Sequence, residues 1–167
     1  ARFANALVAA GCSPAEMTWK AGIDVLSFGG TKNGLMGVEA VVLFDPQKAW
    51  EFELRRKRAG HLLSKHRYLS AQMEGYLQGG AWLMRAAHAN AMAQRLAAGL
   101  TARGASLLHP VDGNIVFARW PAGTSQRLRA AGAAFYDAPA SEGHEAARLV
   151  ASWSTSEGDV DAFVGAV

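Results

Sequence analysis

Strand-like and helix-like segments alternate along this chain. The runs "DVLSF" and "VEAVVLF" are rich in β-branched and aromatic residues, and they follow an opening segment whose apolar residues recur at helical spacing. The cap sequence "SPAE" predicts a short helix before them, and Asp45 with Pro46 begins a helix after them. Later strands are predicted at "ASLLHP", "NIVFARW", "AAFYD" and "AARLVASW", with helices at "TSQRLRAAG" and at a closing segment capped by Ser154 and Glu157. This alternation predicts a layered α/β or α+β fold.

A glycine-rich break interrupts the longest helical stretch. The helical pattern runs from Ser64 to about Ala102, and "QGG" at Gln78 to Gly80 interrupts it. A chain of 167 residues can form one sizeable core, or one small domain and part of another. We therefore expect a domain boundary at this break, between residues 1–78 and 79–167.

Composition narrows the class of protein. Hydrophobic residues make up 50% of the chain and charged residues 19%, a balance typical of soluble globular proteins. The net charge of +3 is too small to demand a nucleic-acid partner. The single cysteine, Cys12, excludes an intramolecular disulfide and fits a reducing compartment. No apolar run approaches the ~20 residues of a membrane span, and the first residues lack a signal-peptide pattern, so we expect a cytoplasmic protein.

Several common catalytic motifs are excluded by spacing. "HEAAR" at His144 lacks the second histidine of a zinc-protease helix, and the remaining histidines are scattered, so no metal site is expected. "GGTKNG" has neither the spacing of a phosphate-binding P-loop nor that of a dinucleotide fingerprint. No G-x-S-x-G nucleophile motif occurs.

Lys32 occupies a glycine-rich loop between the two predicted strands "DVLSF" and "VEAVVLF". A lysine amine becomes a nucleophile when its surroundings lower its pKa, and a Schiff base with a carbonyl compound is the usual product. Loops at strand ends, lined by glycine, let such a side chain meet a cofactor at close range. The residues alone leave two interpretations open, an ordinary exposed cation and a reactive amine.

Two arginines also depart from simple patterns. Arg148 lies in the predicted strand "AARLVASW", where it is either exposed on an edge strand or buried as the binding residue of a carboxylate. Arg2 stands in the first turn of the opening helix, where a cation opposes the helix dipole.

The segment "ARFANALVAAGCSPAEMTWKAGIDVLSFGGTKNGLMGVEAVVLF" resembles the lysine region of the pyridoxal-phosphate-dependent threonine aldolases, especially the low-specificity and phenylserine branch. The resemblance continues through "KRAGHLLSKHRYLSAQM", "AWLMRAAHANAMAQRLA" and "ARLVASWSTSEGDVDAFV", and so covers nearly the whole chain.

The resemblance implies an α/β structure of fold type I, the aspartate aminotransferase-like fold of pyridoxal-phosphate-dependent transferases. Residues 1–78 would then be the C-terminal part of the large cofactor domain, and 79–167 the small C-terminal domain. It also implies a homodimer or homotetramer that acts on a small amino acid, with no nucleic-acid or membrane partner.

The resemblance assigns roles to four residues. Lys32 would form the Schiff base with pyridoxal phosphate, and Thr31 would place a hydroxyl near the phosphate. Arg2 matches the arginine of the family's Asp-Gly-Ala-Arg motif, near the cofactor ring and the substrate carboxylate. Arg148 matches the arginine that holds the α-carboxylate from the small domain. The implied reaction is retro-aldol cleavage of a β-hydroxy-α-amino acid into glycine and an aldehyde.

The family's upstream half does not precede Ala1 in this sequence. It contributes the aspartate of the Asp-Gly-Ala-Arg motif, the phosphate-binding loop and a ring-stacking histidine. We therefore expect the chain to be a C-terminal portion with little or no aldolase activity alone. Two other functions remain open at this stage, a different pyridoxal-phosphate reaction such as β-elimination or transamination, and a non-catalytic remnant domain.

Overall fold

The computed structural model describes residues 2–167. The chain divides between Met84 and Arg85 into two compact units. The domain boundary at 78–79 remains a prediction of the sequence. The kink that motivated it is present, since Gly79 adopts a left-handed conformation with φ of 63° in the turn Gln78–Gly80.

The first unit contains one β-hairpin and mostly helical segments. Strands β1 (Val25–Gly29) and β2 (Glu39–Leu43) pair antiparallel, with Val25 opposite Leu43 and Gly29 opposite Glu39. The helices are α1 (Phe3–Ala10), α2 (Ala49–Arg58), α3 (Arg67–Leu77) and the start of α4 (Ala81–Ala102). The predicted opening helix, both strands and the helix after Asp45 are confirmed.

The segment "SPAE" caps a turn where a helix was predicted. The reciprocal capping bonds exist, since Ser13 N donates to Glu16 Oε2 at 2.8 Å and Glu16 N donates to Ser13 Oγ at 3.3 Å. The chain then makes isolated turns and a short 3-10 segment at Trp19–Ala21. The predicted helix is wrong, because the backbone bonds after the cap vary in span: Thr18 N and Lys20 N both donate to Ala15 O, and no regular helical series forms.

The second unit packs helices against one face of a four-stranded sheet. The strands are β3 (Ser106–Leu107), β4 (Ile115–Pro121), β5 (Tyr136–Ala138) and β6 (His144–Val150), in the antiparallel order β3-β4-β6-β5. Helices α5 (Thr124–Ala130) and α6 (Glu157–Ala166) follow β4 and β6 along the chain. The core combines small and aliphatic side chains of α4 with Val116, Ala118 and Trp120 of β4 and Ala147 and Leu149 of β6. This face of the sheet is called the core face below.

The last helix begins two residues later than predicted. Ser156 is the N-cap and Asp159 the partner of its capping box, with Ser156 N donating to Asp159 Oδ2 at 2.8 Å and Asp159 N donating to Ser156 Oγ at 3.1 Å. The predicted cap at Ser154 and Glu157 is therefore wrong. Ser154 instead interacts with Ser152 in the loop before the helix, which leaves Ser156 to satisfy the first helical amides.

A carboxylate from β6 caps α5 from outside that helix. Glu145 accepts hydrogen bonds from Gly123 N at 3.0 Å and Ser125 N at 2.8 Å. Trp120, opposite Glu145 in the sheet, donates from Nε1 to Ser125 Oγ at 3.0 Å. These amide bonds, first that from Gly123, lower the pKa of Glu145. The charged form of Glu145 therefore stabilises the junction of β4, α5 and β6.

Glu145→Gln is expected to lower the unfolding temperature at pH 7 by about 3 °C, because an amide places one donor against a backbone N–H. The folded-state pKa of Glu145 is lowered, so its stabilisation is present above the unfolded value of about 4.3 and is lost as pH falls through the folded value. The unfolding temperatures of the two proteins, measured by thermal melts from pH 7 to pH 3, should approach each other as the pH falls. Glu142→Gln, in the exposed turn before β6, is the control, and an equal loss there would contradict the capping role.

Candidate active site

Lys32 lies at the centre of a short 3-10 turn, Thr31–Asn33, that connects the two strands of the hairpin. Gly30 N donates to Val38 O at 3.1 Å, and Leu35 N donates to Gly30 O at 3.1 Å, so the loop closes on itself. A Cβ at Gly30 would overlap the Leu35 side chain, and Gly34 has φ of 97°. A side chain at Gly30 would therefore force Leu35 to move, and the backbone at Gly34 favours glycine.

The loop is attached to the unit's interior through Asn33. Its side chain is only 4% exposed, and Nδ2 donates to Tyr76 Oη at 2.6 Å and to Trp82 O at 2.8 Å. Farther along the loop, Met36 N donates to Gln72 Oε1 at 3.0 Å. The residues on both sides of the turn are thus bound to α3 and to the start of α4, which restricts the backbone that carries Lys32.

An aromatic cluster surrounds this attachment. Phe28, which precedes the loop in β1, packs edge-on against Trp82 with ring centroids 5.4 Å apart and lies 5.9 Å from Tyr76. Phe3 of α1 completes it, with centroid distances of 6.0 Å to Phe28 and 6.4 Å to Trp82. The sequence analysis did not identify Asn33 and Tyr76 as positioning residues. A polar residue directly after the loop lysine was the one available signal.

Asn33→Ala is expected to lower the free energy of unfolding of the chain by about 2 kcal/mol, because it removes two buried hydrogen bonds. Tyr76→Phe removes one of the two bonds that Asn33 donates and should lower that free energy by about 1 kcal/mol. Urea denaturation followed by tryptophan fluorescence measures both. Equal losses in the two variants would contradict the double attachment of Asn33.

Arg2 and Thr31 belong to the same unit as Lys32. Arg2 is the N-cap residue of α1, is half-buried, and accepts a hydrogen bond from Ala6 N through its backbone carbonyl at 3.1 Å. Because the next residue, Phe3, packs on Phe28, α1 and the lysine loop share one aromatic cluster. The Thr31 hydroxyl donates to Val38 O at 3.3 Å, so it must rotate before it can donate to a phosphate.

The Lys32 side chain is exposed, and its amine has no hydrogen bond or ion pair with any residue in the range 2–167. The loop therefore presents a primary amine on a backbone held by Asn33 and the glycines. This arrangement fits a group that reacts with amines through a carbonyl carbon, as pyridoxal phosphate does.

Arg148 lies in the second unit, on an interior strand. Its strand β6 pairs with β4 on one side and β5 on the other, so the edge-strand alternative from the sequence is wrong. The side chain is half-buried on the sheet face opposite the core, and its guanidinium lies 5.3 Å from the centre of the Tyr136 ring. Arg148 Nε is buried and forms no hydrogen bond to any described residue. A guanidinium in this state is suited to an anionic ligand.

Residues 2–167 contain no group of three or more histidine, cysteine, aspartate or glutamate side chains placed to hold a metal ion. None of the helices in that range is both long enough and apolar enough to span a bilayer.

The architecture is that of fold type I pyridoxal-phosphate enzymes. A threonine aldolase from Leishmania major superimposes on 99% of this chain and 48% of its own, with a TM-score of 0.84 and 29% sequence identity. The predicted α/β fold type I is confirmed, and enzymes of this fold and family use pyridoxal phosphate.

The chain belongs to the beta-eliminating lyase family, whose model matches residues 1–121. A low specificity L-threonine aldolase from Pseudomonas sp. (strain NCIMB 10558) is 49% identical over 162 residues, which are 96% of this chain and 46% of the relative. The enzyme of the same name from Pseudomonas aeruginosa is 48% identical over 157 residues, 93% of this chain and 44% of the relative. The chain thus spans about half the length of the curated relatives it matches, and the predicted family resemblance is confirmed.

Proposed function

We propose that this chain, joined to an upstream half like that of its relatives, cleaves β-hydroxy-α-amino acids such as threonine, allo-threonine or phenylserine to glycine and an aldehyde. The observation that carries the proposal is the loop around Lys32, which presents an unpaired amine from a fixed backbone. Nearly half-identical relatives named low specificity L-threonine aldolase support this reaction over others.

In this proposal four side chains of the chain bind the reacting groups. Lys32 holds pyridoxal phosphate through its amine, Thr31 lies near the phosphate, and Arg2 lies near the ring and the substrate carboxylate. Arg148 holds the substrate's α-carboxylate by paired hydrogen bonds. When bound, pyridoxal phosphate supplies an electron-accepting ring that takes up the electrons of the bond broken at the substrate's Cα.

In this proposal the fixed position of Arg148 sets the orientation of the substrate. A carboxylate held by a guanidinium on an interior strand has one orientation, and this orientation decides which bond at Cα is broken. Besides holding the cofactor, the Lys32 amine would return a proton to Cα of the glycine product. The half-buried setting of Arg148 strengthens its hold on the carboxylate, because fewer waters compete there.

Product analysis tests the reaction. The chain should be expressed joined to an upstream half like that of its relatives, which gives the longer protein referred to below, and this protein should be supplied with pyridoxal phosphate and given L-threonine or phenylserine. Glycine with acetaldehyde or benzaldehyde in equal amounts is the expected result. Ammonia with a keto acid would instead support the alternative of β-elimination or transamination, and no turnover with no cofactor binding would support a non-catalytic domain.

The 167-residue chain by itself should form little or no glycine under the same conditions, because the proposal takes part of the cofactor site from upstream residues. Glycine formation by this chain alone, at a rate near that of the longer protein, would contradict that part of the proposal.

We further propose that the working protein is a cytoplasmic homodimer or homotetramer. Helix α2 supports an assembly, because it has no buried residue in the described chain and leaves Trp50 69% exposed, with Leu54 one turn later. The single cysteine supports the compartment. Sedimentation analysis of the longer protein should give twice or four times the monomer mass, and a monomer would contradict the assembly.

A further inference from the structure

The sheet face opposite the core in the second unit carries a second arginine. Burial alternates along β4, with Val116, Ala118 and Trp120 inward, so that Phe117 and Arg119 share the other face. Phe117 lies directly opposite Arg148 in the sheet, and Arg119 lies opposite Ala146. Arg119 and Arg148 are therefore diagonal neighbours across two adjacent strands, with Cβ atoms roughly 7 Å apart. This face is called the outer face below.

Both arginines lack the partner that a half-buried guanidinium requires. Arg119 is half-buried like Arg148, and the Nε atoms of both are shielded from solvent without a hydrogen bond to any residue from 2 to 167. The other arginines of this unit that lie near carboxylates are paired, as Arg95 is with Asp161 at 2.8 Å and Arg129 with Asp137 at 2.7 Å. Arg85 of the same unit also has a buried nitrogen, Nη1, without a hydrogen bond to residues 2–167, so Arg119 and Arg148 differ in being two such guanidinium groups on neighbouring strands.

No carboxylate of the four described strands shares the outer face. Asp137 lies opposite Ala147, and Glu145 lies opposite Trp120. Both carboxylates therefore project from the core face, where each already has hydrogen-bond partners. By strand alternation the outer face carries Arg119, Arg148 and His144, and the side chains around them on this face are uncharged.

Two neighbouring cations without an acidic partner repel each other, and buried Nε–H groups without acceptors are unfavourable. A bound anion removes both penalties at once, because its oxygens accept from both guanidinium groups. Phe117 and Tyr136 lie on either side of Arg148 in the same cross-strand row, and the Arg148 guanidinium lies 5.3 Å from the centre of the Tyr136 ring.

We propose that Arg119 and Arg148 together form one carboxylate site, in which Arg119 is a second binding residue for the amino acid's α-carboxylate. The identity of the ligand rests on the proposed function, which places the α-carboxylate at Arg148. The existence of the site rests on the two side chains themselves.

The test follows the Nε–Hε NMR signals of the 15N-labelled chain during titration with sodium acetate, at constant ionic strength kept with sodium chloride. Arg119→Lys and Arg148→Lys assign the two signals. Both signals should move along saturating curves with one common Kd, whereas the signal of Arg95, already paired with Asp161, should not move. Arg119→Lys should raise the Kd reported by Arg148 at least fivefold, and Arg103→Lys, at an exposed position, should leave it unchanged.

A saturating shift at Arg148 alone would overturn the proposal, and so would linear shifts at both arginines. A parallel titration with inorganic phosphate separates the anions, since saturation by phosphate and not by acetate would overturn the carboxylate assignment. If Arg119→Lys changes the backbone amide spectrum globally, Arg119→Gln replaces it, and the two-signal titration of the unchanged chain still decides. The experiment needs neither cofactor nor turnover, so a failed product analysis would reject the aldolase function and leave this result standing.

Discussion

Replacing Lys32 with alanine is expected to lower the glycine-forming activity of the longer protein at least a hundredfold, because it removes both the amine that holds the cofactor and the proton donor at Cα. Lys32 is exposed on a turn, so the substitution removes no buried contact and the fold should persist. A loss of activity can then be assigned to chemistry and not to unfolding.

Reductive labelling gives a second measurement on the 167-residue chain itself. Pyridoxal phosphate and borohydride should yield one major adduct on Lys32 by peptide mass mapping, and Lys32→Ala should lack it. Lys20→Ala is the matched control, because Lys20 is also exposed in a short 3-10 turn of the same unit. Equal labelling of Lys20, Lys48, Lys57 and Lys65 would mean that the loop confers no selectivity on Lys32.

Replacing Arg148 with alanine is expected to lower kcat/KM for threonine in the longer protein by about 30- to 150-fold, the equivalent of about 2–3 kcal/mol for a charge-assisted pair. Arg148→Lys should recover only part of the loss, since an ammonium cannot make the paired hydrogen bonds of a guanidinium. Most of the change should appear in KM if the arginine binds substrate and transition state alike. An unchanged KM for both variants would contradict the carboxylate-binding role.

The backbone of Arg148 makes this experiment interpretable. Arg148 is paired with Phe117 of β4 on one side and with Tyr136 of β5 on the other. The backbone pairing of β6 with both strands should therefore persist when the side chain at 148 is changed. Arg103→Ala, in the exposed turn after α4, removes one positive charge from the same unit and serves as the control. A similar effect there would indicate that net charge, and not a specific contact, sets KM.

Local sequence patterns predicted most of the elements but not their ends. Both strands of the hairpin and the strands of the second sheet were predicted, because apolar alternation is recorded in adjacent residues. The sequence predicts Ser154 as the cap of α6, but Ser156 occupies that position. Ser154 instead hydrogen-bonds to Ser152 within the preceding loop. Such competition is decided by tertiary contacts that no short window of sequence contains.

The parts of the candidate site that depend on neighbouring residues were predicted, and the parts that depend on contacts between residues far apart in the sequence were missed. Lys32 could be singled out because glycines and strands surround it in sequence. The partners of Asn33 are more than forty positions away, and the pairing of β6 with β4 and β5 joins segments that the chain does not connect directly. These contacts are properties of the fold, so the setting of Arg148 could only be given as two alternatives.

Strand β6 also limits how this part of the chain can change in length during evolution. Glu145 projects from one side of the sheet to cap α5, and Arg148, three positions later, projects from the other. A one-residue insertion in the connection 139–143 that shifted the strand would exchange the two sides, placing a guanidinium in the apolar interior and removing the carboxylate from α5. Gains and losses of residues should therefore be tolerated only where the connection bulges outward and leaves the pairing of β6 unchanged.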